Sequence, residues 1–328
     1  MTQPPRAAGV TAVVVNYNAG PALVACVESL RAEGIEDLVV VDNGSVDGSI
    51  ADALRADPAL VVVREGVNRG YGAAANIGVH HAHGDLVLVC NPDIVVRPGA
   101  VARLARRLRA DGGALVVGPR LEEVDGSTYP SARTFPDLTT SIGHAFVGLF
   151  VPGNRFSRRY KRLEENAQEA AAVDWVSGAC FLVRRSGFLA LGGFDEGYFM
   201  YAEDIDLCWR ARRSGWEVLY EPAATVVHAG GLTTQSAPFR MIYAHHRSAL
   251  RFASRTRRGW RRLSLPPIAA GLALRGSVEV ARTAGSRVVG AARRSHAGHG
   301  PTGPPGLPGT CGPARAGHLP AGPGRNPA

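Results

Sequence analysis

"VVVDNGSVDGS", Val39–Ser49, begins with three valines, turns polar at Asp42 and continues through Asn, Gly, Ser and Asp. Short β-branched runs bounded by such residues read as a strand entering a loop. A turn explains the small residues but not a carboxylate at the strand's last position. The same form recurs outward along the chain. Thr11–Asn16 reads as a strand and Pro21–Glu33 as the helix after it. Leu38–Asp42 leads to a helix over Ser49–Ala56, Leu60–Arg64 to Gly70–Ala82, and Leu86–Cys90 to Gly99–Ala110 and the strand Ala114–Val117. These strands are continuous apolar runs, the pattern of parallel strands covered on both faces. The order βαβαβαβ predicts a doubly wound α/β half.

The second half is less regular. Asp125–Gly126 signals a hairpin. Ser141–Ala172 mixes helix and loop, with a charged, mobile stretch at Arg155–Glu169. Trp175–Arg184 reads as one strand, Glu203–Ser214 as a helix, and Val218–Tyr220 and Ala224–His228 as two strands. Ala237–Arg255 reads as a helix. From about Ser295 onward Gly and Pro dominate without an apolar period, which predicts a disordered tail over 295–328. Residues 1–9 read as a flexible N-terminus, 10–240 as the main domain with halves 10–120 and 121–240, and 241–294 as a basic helical extension.

Charge is divided unevenly. Residues 1–239 carry 22 basic and 27 acidic side chains, whereas 240–328 carry 15 arginines and one acid, Glu279. A basic end on a mildly acidic body points to an anionic partner such as a membrane surface, and no recognition motif supports nucleic acid. Between 240 and 294, Leu250, Phe252, Trp260, Leu263 and Leu265 interleave with Arg255, Arg257, Arg258, Arg261 and Arg262, as in an interfacial segment. A solvated basic tail is the other reading. No stretch of ~18 uncharged apolar residues is present to span a bilayer. "MTQPPRAAG" has no signal-peptide core, and the five cysteines lack C-x-x-C spacing. Together these features predict a reducing, cytoplasmic location.

In an open parallel sheet, ligands bind at the carboxyl ends of the strands. Those ends carry Asn16, Asp42, Asn68 with Gly70, and Asn91-Pro92-Asp93. Turn chemistry alone favours Asn and Asp, so the joint occurrence carries the weight. A dinucleotide fold would need G-x-G-x-x-G after the first strand. The turn there is Asn16-Tyr17-Asn18-Ala19-Gly20-Pro21, with one glycine, so that reading is discarded. A mononucleotide site with a metal remains. Asp93 can offer a hard oxygen to Mg²⁺ or Mn²⁺ bridging a diphosphate, or else cap a helix before Arg97–Pro98.

In order along the chain, "VVVNYN", "VVVDNGSVDGS", "NRGYGAAANIG", "NPD", "GGFDEGYFMYAEDIDLCWRARRSGW" and "VVHAGG" resemble the motifs of family 2 glycosyltransferases. "DGSTYPSARTFP" and "WVSGACFLVRRSGF" are most similar to the rhamnosyltransferases of that family acting on N-acetylglucosaminyl-diphospho-decaprenol. The resemblance implies a GT-A fold, with a mixed, mostly parallel, Rossmann-like sheet, and inverting transfer from a nucleotide sugar such as dTDP-L-rhamnose. It also implies a polyprenyl-diphosphate sugar acceptor met at the inner face of the cell membrane.

The resemblance assigns Asp42 and Asn16 to the donor's nucleoside, and Asn68 and Gly70 to the border of the nucleotide sugar, where a missing side chain lets backbone approach phosphate. Asp93 matches the last position of the D-x-D metal motif. Asn91 stands at its first position and leaves one fewer charge. His228 is implied as the second metal ligand; alone it would read as a cap or a buried histidine. Asp204 is implied as the base, with Glu203 and Asp206 capping or orienting. Carboxylates at a helix start are favoured by the dipole in any case. Trp175, Ser177, Gly178, Glu203 and Arg133 would form the acceptor side, although Trp175 also reads as core and Arg133 as a solvated arginine. Family 2 transfer from a UDP-hexose or UDP-galactofuranose, and a non-catalytic nucleotide-sugar or membrane-surface module, are the alternatives.

Overall fold

The computed structural model describes residues 9–135, 169–230 and 238–297, with side chains through residue 285. The expectations for residues 1–8, for 136–168 and for the tail from 298 lie outside the described residues. Residues up to Ala284 form one unit. Gly285–Ala328 form a second, of which only the end of the last helix is described.

The first half alternates as read: β1 (Val10–Asn16), α1 (Ala22–Ala32), β2 (Asp37–Asp42), α2 (Ser49–Ala56), β3 (Val61–Arg64), α3 (Tyr71–His81) and β4 (Leu86–Cys90). β1 pairs in parallel with β2 and β4, and β2 with β3. Asn16 stands opposite Asp42, and Asp42 opposite Arg64, so these strand ends share one edge. Successive strand residues point to opposite faces, and both faces are buried. Ala12, Val14, Leu38 and Val40 pack with Leu23, Val27 and Leu30 of α1. Val13, Val15, Val39 and Val41 pack with Ala74, Ala75 and Val79 of α3. Two-sided burial is why the strands read as unbroken apolar runs. Gly78 of α3 lies so close to the sheet that a Cβ would meet Val13 Cγ1 at 2.2 Å.

After β4 come β5 (Ile94–Val96), α4 (Ala100–Ala110), β6 (Ala114–Glu122), β7 (Thr128–Tyr129), β8 (Ala132–Arg133), β9 (Ala171–Val173), β10 (Trp175–Val176), β11 (Cys180–Arg184), α5 (Arg185–Ala190), α6 (Glu203–Arg213) and β12 (Glu217–His228). The large sheet runs β3-β2-β1-β4-β11-β6-β12-β5, with β7 on β6 and β9 on β12; β8 and β10 pair separately. β11 is antiparallel to both β4 and β6, so an inserted strand separates β4 from β6 and the sheet is mixed.

Three expectations change. Trp175–Arg184 is two strands in different sheets, because the N–H groups of Ser177 and Gly178 donate to Ser131 O and Asp204 Oδ2 rather than to a ladder. Val218–Tyr220 and Ala224–His228 are one strand, β12, with a register shift between Glu221 and Thr225 that absorbs Pro222. Asp93 leads into β5, an element not anticipated, rather than capping a helix. β5 pairs antiparallel with the end of β12, setting His228 opposite Ile94.

The C-terminal segment forms α7 (Pro238–Thr256), a 3₁₀ turn (Gly259–Ser264) and α8 (Leu265–Ala297). α7 is fastened to the loop before α6. Ser248 Oγ donates to Met200 O at 2.8 Å, and Arg251 donates to both oxygens of Asp195. Arg255 pairs with Asp195 and Asp206. Asp206 is fully buried and also accepts from Arg210 Nε at 2.7 Å. Part of the basic segment is therefore used in holding α7 in place.

Candidate active site

A cavity of about 790 Å³ opens at the carboxyl edge of the sheet. Asn91, Asp93, Arg133, Trp175, Ser177, Gly178, Glu203, Asp204 and His228 all line it. Asn16, Asp42, Asn68 and Gly70 do not; they sit along the same edge at the ends of β1 to β3. Two strand spacings, roughly 10 Å, separate β2 from β4.

The pairing of β5 with β12 brings Asp93 and His228 together: His228 Nε2 lies 3.3 Å from Asp93 Oδ1. Asn91 Nδ2 lies 3.2 Å from the same ring nitrogen. One nitrogen cannot both accept from Asn91 and donate to Asp93. Asp93 Oδ1 is buried without a hydrogen-bond partner among the described residues. A buried orphan carboxylate oxygen is costly unless something cationic binds it. A divalent ion fits this set: Asp93 gives a hard oxygen and His228 an imidazole lone pair, with Asn91 beside them. No group of three or more His, Cys, Asp or Glu side chains placed to hold a metal ion occurs among the described residues.

Asp204 and Glu203 open α6 behind a strained turn. Tyr201 and Ala202 both have positive φ, 68° and 64°, in the left-handed region that disfavours side chains. That turn aims Asp204 at the Ser177–Ala179 turn. Asp204 Oδ2 accepts from Gly178 N and Oδ1 from Ile205 N, each at 2.8 Å. A Cβ on Gly178 would press on the Asp204 side chain at 3.2 Å, and Tyr71 Oη donates to Gly178 O at 2.6 Å. Gly178 is thus a clamp on the carboxylate as well as part of the wall.

Burial raises the pKa of Asp204, partly offset by the Gly178 and Ile205 N–H groups and by Arg133. Burial also pushes Glu203 up to about 8, with the Asp204 charge adding to it. Glu203 Oε2 has no hydrogen-bond partner among the described residues, whereas Asp204 has two backbone donors. Of the two acids, Glu203 is therefore the one that holds a proton more readily, and Asp204 the more acidic member. Such a pair can accept one proton at one defined carboxylate.

Trp175 is 7% exposed, its Nε1 donating to Thr134 O, with the Arg133 guanidinium 5.2 Å from its ring centroid. It is both core and cavity wall. Arg133 Nε donates to Pro130 O, and Tyr129 flanks the guanidinium at 5.8 Å, so Arg133 is held rather than solvated.

The β1–β3 edge is cross-linked within itself. Asp42 Oδ1 accepts from Ser45 N. Asn16 is fully buried; its amide donates to Ser45 and Ser49 hydroxyls at 3.0 Å, so it shapes the loop from behind. Asn68 Oδ1 accepts from Gly70 N and from Asn43 Nδ2. Gly70 has φ +95°, and a Cβ there would meet Phe199 O at 2.3 Å. The space the glycine frees on its Cβ side is filled by the protein's own backbone at Phe199. Asn43 ties two of these loops together and was not singled out in the sequence. An Asn inside an Asn/Gly/Ser loop carries no signal separating a cross-link from an ordinary turn residue.

The pattern of the family described as "Glycosyl transferase family 2" matches residues 11–192. The N-acetylglucosaminyl-diphospho-decaprenol L-rhamnosyltransferase of Mycobacterium tuberculosis is 37% identical over 268 residues, 77% of this chain and 86% of that protein. Rhamnosyltransferase WbbL of Escherichia coli K12 is 30% identical, covering 57% of this chain and 71% of that one. Among solved structures, a mannosyltransferase from Pyrobaculum calidifontis in complex with GDP-Man and Mn²⁺ superposes with a TM-score of 0.51 at 19% identity, over 88% of this chain and 81% of that chain. GalNAc-T7 with UDP, GalNAc and Mn²⁺ gives 0.51 at 18% identity, over 67% and 43%. These last two likenesses bear on the fold.

Proposed function

The chain belongs to glycosyltransferase family 2 and is a glycosyltransferase of GT-A fold, and from that premise we propose that it moves L-rhamnose from dTDP-L-rhamnose to a polyprenyl-diphosphate-linked N-acetylglucosamine, with a divalent cation, in cell-wall biosynthesis. The mycobacterial likeness over most of both chains supports the sugar and the acceptor class. The observation that carries the reading is that Asp93, His228 and Asp204 line one cavity, with an orphan oxygen on Asp93.

The nucleoside lies along the β1–β3 edge at Asp42, and the diphosphate reaches Asp93 and His228, roughly 10 Å across the sheet. Asp93 and His228 would hold a divalent cation, which would supply charge neutralisation for the departing diphosphate. Asp204, ionised and held by Gly178 and Ile205 N–H groups, takes the proton from the acceptor hydroxyl as its oxygen attacks the anomeric carbon. One base with direct displacement gives inversion. Trp175 offers an aromatic wall to the acceptor sugar, and Arg133 faces its diphosphate from a fixed position. Glu203 stays neutral, which keeps a second negative charge away from Asp204.

An acceptor of this class would be met at the cytoplasmic face of an anionic membrane, and a peripheral association there is part of the proposal. Trp260 and Leu263 of the 3₁₀ turn are 79% and 80% exposed, beside exposed Arg258, Arg261 and Arg262. No helix among the described residues is long and apolar enough to cross a membrane. Large exposed apolar side chains among arginines suit a headgroup region.

The test is transfer to a prenyl-diphosphate N-acetylglucosamine from a donor panel with Mg²⁺ or Mn²⁺ present. The reading requires dTDP-L-rhamnose to give the highest kcat/KM. Faster transfer from a UDP-hexose or UDP-galactofuranose would replace the donor assignment, and no transfer from any donor would favour a binding module.

A further inference from the structure

The cavity that holds Asp204 continues past it between the two C-terminal helices. His245, Ala249, Phe252, Ala253 and Thr256 of α7 line it, at spacings i, i+4, i+7, i+8 and i+11. That is one face of a helix. Phe252 and Ala253 are largely buried at the middle of this face, and the face also lines the cavity. Ile268 and Leu272 of α8 line the same space from the other side. The helices lie against each other, with His246 Nε2 4.0 Å from Glu279 and a Cβ on Gly276 3.6 Å from the His246 ring.

One end of this arm is fixed at the catalytic acids. The His245 ring lies 5.4 Å from the Tyr201 ring, two residues before Glu203, and Ser248 is bonded to Met200 O. From Ala249 to Thr256 the stripe leads about 10 Å away along the helix axis. It runs toward the 3₁₀ turn where Trp260 and Leu263 are exposed. The hydroxyl on the stripe is already used, since Thr256 Oγ1 donates to Phe252 O at 2.8 Å. Arg257, which also lines the cavity, spends Nη1 on Ala253 O and keeps a buried Nε without a hydrogen-bond partner among the described residues at the far end of the stripe. Along Ala249, Phe252, Ala253, Ile268 and Leu272 a sugar or a phosphate would find no side-chain donor, and a hydrocarbon chain needs none.

We infer that α7 and α8 form a subsite for the isoprenoid tail of the acceptor, seating its first units along Ala249, Phe252, Ala253, Ile268 and Leu272 while the sugar end meets Asp204. The inference rests on the acceptor class proposed above and adds to it. The apolar chain enters at the Trp260 turn, lies between the helices and presents its head group in the catalytic cavity. The enzyme thereby recognises the lipid itself, and not only the sugar-diphosphate.

The experiment compares acceptors with one N-acetylglucosaminyl-diphosphate head and either an ethyl or a farnesyl tail, assayed in the same detergent. Wild type should favour the farnesyl acceptor at least tenfold in kcat/KM, mainly through KM. Ala249→Trp, which fills the groove, and Leu272→Glu, which charges it, should each bring that ratio toward one. Tyr243→Ser, on an exposed part of α7, should keep it. A wild type indifferent to tail length overturns the inference and leaves the proposed function standing. So does a pair of groove variants that lower both acceptors equally, as a groove filled by the chain itself or by a second copy would give. Failure to transfer to either acceptor overturns both.

Discussion

His228 Nε2 lies 3.3 Å from Asp93 Oδ1 because the last strand of the domain, β12, pairs antiparallel with the three-residue strand that follows Asp93. The Asp93 oxygen has no other partner among the described residues. If a cation joins the two, then Asp93→Ala and His228→Ala should each remove most of the thermal stabilisation that Mn²⁺ with dTDP gives wild type, and lower transfer by roughly 10- to 100-fold or more. Chelator should abolish activity, and added Mn²⁺ should restore it. Full Mn²⁺-dependent stabilisation in both variants would show that the two residues do not hold the metal.

Much of the first half was legible in the sequence, because β1, β2 and β4 are buried on both faces and their residues record it as unbroken runs of Val and Leu. β5 was not. Three residues, with exposed Val95 between buried Ile94 and Val96, carry too little periodicity to separate from a loop after Asn91-Pro92-Asp93. The candidate polar residues were legible as Asn and Asp at strand ends. Which of them face the cavity was not, because Asn16 and Asn68 spend their amides on neighbouring loops, and only tertiary partners reveal that. Arg251 and Arg255 read as part of a basic surface segment for the same reason: their partners, Asp195 and Asp206, are distant in the chain.

Asp204→Asn keeps the shape of the side chain and removes its basicity. Transfer should fall by about 10²- to 10⁴-fold in kcat. Donor binding, measured by titration with dTDP-rhamnose, should change less than about threefold, since Asp204 is bonded to the acceptor-side turn at Gly178. Wild-type turnover in the variant would remove Asp204 as the base.

Gly70→Ala separates two accounts of one glycine. With φ +95° and Phe199 O 2.3 Å from a Cβ, the substitution should destabilise the fold by roughly 2–4 kcal/mol, read from the denaturant midpoint. A variant of normal stability that had lost only donor affinity would favour the reading in which the glycine makes room for phosphate.

Trp260→Ser with Leu263→Ser should reduce sedimentation with vesicles containing anionic lipid by several-fold and leave the melting temperature unchanged, because both side chains are about four-fifths exposed. Binding should weaken as salt is raised, through the arginines around them. Vesicle binding that is unaltered in the double variant would move the membrane contact elsewhere on the chain.

Glu203→Gln tests the protonation of the acid pair. Burial, with Asp204 adjacent, raises the Glu203 pKa from 4.5 to about 8 in the fold. The neutral carboxyl is therefore the form the fold favours. The stability it gives is fully present below about pH 4.5 and is lost as the pH rises through about 8. Glutamine cannot ionise, so the variant should not show that loss. The two proteins should melt close together at pH 5, and the variant should be more stable at pH 8.5 by roughly 1–3 kcal/mol. Asp204 accepts from two backbone N–H groups and Glu203 Oε2 from none, so the difference belongs to Glu203 and should persist in an Asp204→Asn background, reduced by the missing neighbouring charge. Parallel stability curves from pH 5 to 8.5 would mean that Glu203 is ionised throughout, and Asp204 would then have to work beside a second full charge.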